Sequence, residues 1–167
     1  MPLTWIDPFS PATTEPPRRL AAFFRWALKG SGPALGVAGV LSIFAGVIEV
    51  MAALVLGWVV DAALAAEAGA VFSDHTGLLL AGLAFFLLLR PALFGVSSYM
   101  QSIVVAPNVF NLVLSRLHRY TLGQAVTFFD NDFAGRISQK EMQTSRALTD
   151  VVTEVLHTVL FAAASFV

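Results

Sequence analysis

Two charged residues stand alone inside long apolar runs: Glu49 within A-G-V-I-E-V-M-A-A and Arg90 within F-L-L-L-R-P-A-L-F. In lipid an isolated charge costs at least about 2.5 kcal/mol, so such residues pair with each other or line a polar path. Glu49 lies twelve residues before Asp61 and Arg90 thirteen past Gly77. At a rise of about 1.5 Å per residue both sit about 18–20 Å from the segment between. Equal depth on neighbouring antiparallel helices faces them towards each other. That leaves two readings: polarity in a substrate cavity, or a buried pair that fixes helix register.

A second group is T-F-F-D-N, Thr127 to Asn131. Phe128 and Phe129 are large apolar side chains at a break between two amphipathic patterns, exposed there unless something covers them. They either anchor a partner, as interface aromatics often do, or fold back on their own helices. Asp130 and Asp132 flank them, suited to basic groups of a partner or to capping the next helix.

The residues of most other chemistries are missing. The chain has no Cys, which removes disulfides, thiol nucleophiles and thiolate metal sites. His75, His118 and His157 are far apart and in unlike surroundings, a poor basis for a metal site. No G-x-x-x-x-G-K-[ST] loop and no G-x-S-x-G elbow occurs, so neither a nucleotide site nor a serine nucleophile is expected in these residues. A net charge of −1 gives no footprint for nucleic acid.

The elements that must hold these groups follow from composition. Of 167 residues, 57% are hydrophobic and 13% charged, against about a quarter charged in soluble domains. The class is therefore all-α and polytopic in a membrane. Residues 1–17 hold five prolines and no apolar core of a signal peptide, and read as a disordered cytoplasmic tail. Residues 18–30 interleave Arg18, Arg19, Arg25 and Lys29 with Leu20, Phe23, Phe24, Trp26 and Leu28, the pattern of a helix lying on a membrane surface or of a charged flank. Apolar runs of about 33–60 and 78–105 each exceed the roughly 20 residues a crossing needs, and a third begins near Val151 and runs to Val167. Small residues crowd the first, Gly36, Ala38, Gly39, Ser42, Ala45 and Gly46, and allow close helix approach. Pro91 and Pro107 are expected to bend the second. Every Lys and Arg except Arg90 lies before residue 30 or after 105, so the N-terminus and the loop 106–150 are inside and 61–77 outside.

In that loop Val109, Phe110, Val113, Leu114 and Leu117 form one helix face, with Arg116 and Arg119 outside it. Gly135 permits a reversal, and Ser138-Gln139-Lys140-Glu141 fits a helix-capping pattern.

The order Arg116, Arg119, Leu122, Gln124, Phe128, Phe129, Asp130, Gly135 resembles the first cytoplasmic loop of an ABC exporter, the type with six helices fused to an ATP-binding domain. The spans and the basic helix also fall where that family has them. Lys140 and Thr144 stand where the family commonly has arginine and aspartate. The resemblance implies an N-terminal part of the membrane domain, 31–167, with 18–30 as its elbow helix. It also implies long helices extending into the cytoplasm. Ala125–Asn131 would be the coupling helix, with Thr127, Phe128, Phe129, Asp130 and Asn131 at the ATPase interface. Implied partners are the lipid bilayer, an ABC ATP-binding domain and a second transporter half. ATP and magnesium would be bound by a domain absent from this chain, in the plasma (inner) membrane with the N-terminus cytoplasmic. The alternative is a truncated small membrane protein without transport activity, either inert or an interaction partner.

Overall fold

The computed structural model describes residues 5–65, 76–126, 128 and 134–166. Among them the chain is all-helical, without a strand. A short helix α1 (Leu20–Ala27) is followed by α2 (Gly32–Ala65), α3 (Thr76–Leu122) and α4 (Gly135–Ala164). The last three are long and apolar enough to cross a membrane, and the chain is a membrane protein.

Local sequence explains the joints. Gly30 has φ +95, a left-handed conformation that costs a residue with a Cβ, and it turns the chain from α1 into α2. Ser31, fully buried, tightens that turn by donating its hydroxyl to the Leu28 carbonyl at 2.7 Å. Pro33 sits in the first turn of α2, where its missing N–H is no loss.

Pro91 and Pro107 do not end α3. A proline ring crowds the carbonyl four residues back, here of Leu87 and Ile103. Both lie in π-helical turns, Phe85–Leu89 and Met100–Val105. The wider turn makes room for the ring while the helix runs on. A third π turn, Val155–Val159 in α4, has no proline to explain it.

Packing between α2 and α4 depends on small residues. A Cβ on Gly46 would lie 2.6 Å from the Phe161 carbonyl oxygen and 2.8 Å from the Ala164 Cβ. The helices are thus too close there for a side chain. The main core gathers Trp26, Ala38, Val105, Val109, Leu112, Val113, Leu148 and Val152 from all four helices. A smaller cluster joins Ile48 and Ala52 of α2 to Phe85 of α3. Outside these, Phe44, Leu54, Trp58, Leu80, Leu87 and Leu88 are exposed, an apolar exterior that suits a membrane and not water.

The expectation of a disordered tail is corrected for residues 5–17. Ile6 is buried in the main core at 2% exposure. The Ser115 hydroxyl donates to the Pro8 carbonyl, and the Trp26 indole N–H donates to the Thr14 carbonyl at 2.8 Å. Composition argued that this segment has no core of its own. It uses the core of α1 and α3 instead, as a non-helical strap.

Candidate functional site: polar contacts between the helices

Glu49 and Arg90 meet. Arg90 Nη2 donates to Glu49 Oε2 at 2.9 Å and to Oε1 at 3.0 Å. The two helices are antiparallel, with Glu49 sixteen residues before the end of α2 at Ala65 and Arg90 fourteen after the start of α3 at Thr76. Both side chains are about 40% exposed, so the pair borders open space as well as bridging α2 and α3. The guanidinium also lies 5.7 Å from the centre of the Phe94 ring, one turn further along α3, within cation–π range.

From Phe94 a polar seam runs along α3. Ser97 and Gln101, then Ser98 and Ser102, repeat at four-residue spacing and so share one side of the helix. With Ser42 of α2 and His157 of α4 they line a groove of about 160 Å³ walled by Phe94 and Phe161. The Gln101 amide donates to the Ser42 hydroxyl at 2.9 Å and to the Ser97 hydroxyl at 3.3 Å. Ser42 in turn donates to the Ala38 carbonyl. Sequence reasoning passed over this seam, although three serines and a glutamine within 97–102 of an apolar run were a readable signal.

Arg116 is also held in a way the sequence did not show. It lies off the apolar face of α3, yet it is buried, at 4% exposure. Its Nη1 donates to the carbonyls of Trp26 (2.8 Å) and Ala27 (2.9 Å), and its Nη2 to that of Lys29 (2.8 Å) and to the Ser10 hydroxyl (3.0 Å). Nε reaches the Ser10 carbonyl at 3.2 Å. The last carbonyls of a helix have no partner within it, and a cation there complements the helix dipole. One guanidinium therefore closes the end of α1 and holds the strap to α3.

Beyond the apolar spans, α3 and α4 continue side by side. Ser145, Thr149 and Thr153 each donate a hydroxyl to the carbonyl four residues earlier. This satisfies the hydroxyls within the helix, so Ser145 and Thr149 can be buried. Ser138 is not a cap: α4 has already begun by Gly135. Glu141 turns instead towards α3, where its Oε2 lies 3.2 Å from His118 Nδ1.

At the tip, Phe128 is about half exposed and its N–H donates to the Ala125 carbonyl at 2.9 Å. Thr127, Phe129, Asp130 and Asn131, like Asp132, lie outside the described residues. Among the described residues no three His, Asp or Glu groups gather as a metal site would require.

No family model matches the chain and no solved structure matches it. A curated relative from Haemophilus influenzae, an uncharacterized ABC transporter ATP-binding protein, is 25% identical over 164 residues. The match covers 97% of this chain and 26% of the relative. The chain thus spans about a quarter of the length of a protein to which it is similar almost from end to end.

Proposed function

We propose that this chain forms the N-terminal part of the membrane domain of an ATP-driven exporter, with substrate pathway and first coupling loop. The observation that carries this reading is the length of the α3–α4 hairpin. The 47 residues of α3 span about 70 Å, and a bilayer core is about 30 Å thick. The hairpin therefore projects far beyond any bilayer it crosses, and this projecting part is a packed, polar-faced pair of helices. The similarity to an ABC transporter protein supports the same reading.

In this reading residues 18–30 form the elbow at the cytoplasmic surface, and Glu49, Arg90 and the Ser97–Ser102 seam give the pathway its polarity. Thr127, Phe128, Phe129, Asp130 and Asn131 seat on an ATP-binding domain, which supplies the ATP and magnesium sites that this sequence lacks. A second half, identical or not, completes the cavity. Because Arg116 ties strap, elbow and hairpin together, a push at the tip moves them as one body. The inner membrane is the setting, with the N-terminus cytoplasmic.

Topology tests this. Tyr120→Cys and Asp74→Cys in the cysteine-free chain are treated with a membrane-impermeant maleimide on intact cells. The reading requires that Asp74→Cys react and Tyr120→Cys react only after the membrane is opened. The reverse pattern sinks it.

A further inference from the structure

We propose that the groove between α2, α3 and α4 around Gln101 binds an uncharged aromatic ligand through a hydroxyl that the ligand donates. Calling that ligand a substrate rests on the transport reading; the binding itself rests on the groove. The groove of about 160 Å³ adjoins a second of about 340 Å³, and Gln101, Ser102 and His157 line both. Gln101 and Ser102 belong to the π turn Met100–Val105 of α3, and His157 to the π turn Val155–Val159 of α4. Two π turns, one of them without a proline, thus meet at one place, and such turns are frequent at functional sites.

The Gln101 amide is fixed in one sense. Ser42 has a single O–H, and it is spent on the Ala38 carbonyl at 2.9 Å. Ser42 can therefore only accept, which puts the amide nitrogen of Gln101 beside it, at 2.9 Å. The second N–H goes to the Ser97 hydroxyl at 3.3 Å. With both donors committed, the amide has only its carbonyl oxygen to offer. That oxygen has no partner among the described residues and, unlike Glu141 Oε1, is not sealed from the surface. A site built on such a hydrogen bond rejects an analogue that lacks the donor. Phe94 and Phe161 wall the smaller groove, and a cavity of about 150 Å³ suffices for a benzene ring. Among the described residues no Lys or Arg lines either groove, so an anion finds no counter-charge. Glu154, the one carboxylate there, is exposed and already accepts from the Thr158 hydroxyl. Water screens it, which leaves a cation little to gain.

The test uses two isomers, 2-phenylethanol, which donates, and benzyl methyl ether, which can only accept. Ser98→Cys in the cysteine-free chain puts a thiol in the groove, and its labelling by a small methanethiosulfonate is timed in lipid nanodiscs. Concentrations are corrected for partition into empty discs. The alcohol should slow labelling saturably, at a half-protecting concentration about fivefold below that of the ether. Phenylacetate and phenethylamine should protect no better than the ether. Gln101→Met, of similar length, should bring the alcohol to the ether's level and leave the ether unchanged. The proposal is overturned if the isomers protect alike, if either charged probe matches the alcohol, or if Gln101→Met keeps the difference. It also fails if the thiol is never labelled, which would mean a closed groove. Should either variant fail to fold, as read by helical circular dichroism, calorimetry of the two isomers on the unaltered protein decides. Equal isomers would remove the binding and leave the topology of the transport reading standing; a reversed topology would do the opposite.

Discussion

Arg116 on α3 donates a 2.8 Å hydrogen bond to the carbonyl of Trp26 at the end of α1, ninety residues away in the chain. The same guanidinium reaches Ala27, Lys29 and Ser10. A planar group with five N–H donors in a fixed fork can do this, and an ammonium with three cannot.

Arg116→Lys should therefore behave almost as badly as Arg116→Ala. Both leave buried carbonyls unsatisfied, and we expect a loss of about 3 kcal/mol for the alanine variant. The strap should come away first. Limited proteolysis between residues 5 and 17 would report this as faster cleavage in both variants. A lysine variant cleaved at the unaltered rate would show that the fork is dispensable.

The Glu49–Arg90 pair calls for a charge-swap experiment. Glu49→Gln or Arg90→Gln alone leaves one charge unpaired, at a cost of about 2.5 kcal/mol in lipid. The double variant Glu49→Arg with Arg90→Glu should recover most of it. Thermal unfolding of the four proteins in nanodiscs gives the coupling. If the swapped pair is no better than the singles, then Glu49 and Arg90 do not stabilise by pairing.

Gly46 and Gly36 make a matched test of helix approach. A Cβ at Gly46 meets the Phe161 carbonyl oxygen at 2.6 Å, and one at Gly36 meets nothing within 4 Å. Gly46→Ala should destabilise by about 1–3 kcal/mol through overpacking. Gly36→Ala should be neutral or better, since it removes chain entropy from the unfolded state. Equal melting temperatures would contradict the close α2–α4 contact.

If the tip seats on an ATP-binding domain as proposed, Phe129→Ala in the complete protein is expected to keep membrane insertion and ATP hydrolysis while lowering transport. Reconstituted vesicles give both rates from one sample. Transport unchanged beside unchanged hydrolysis would remove Phe129 from the coupling interface.

The helices were legible because their apolar runs are long and their breaks are marked by Gly32-Pro33 and Gly135. Glu49 and Arg90 could be matched because two helices joined by a short segment fix depth by counting. Arg116 was not legible in the same way. Its partners are backbone carbonyls, which every sequence has, and its place off the apolar stripe gives no sign of burial. The strap was missed for a related reason: composition reports whether a segment can form a core, not whether it can borrow one. The π turns show how α3 accommodates two prolines, a geometric answer that residue type alone does not reveal. Ser138 and Glu141 match a capping pattern by residue type alone, and the helix has already begun before them, at Ala134.

The central claim is that the tip of the α3–α4 hairpin seats on an ATP-binding domain. Phe128→Cys in the cysteine-free chain, carrying a short photoactivatable cross-linker, tests it in membranes from cells making the complete protein. The account predicts a cross-link to the ATP-binding domain whose yield changes when ATP and magnesium are added. Cross-linking to lipid or solvent alone, with no ATP-binding domain captured in either state, would contradict it.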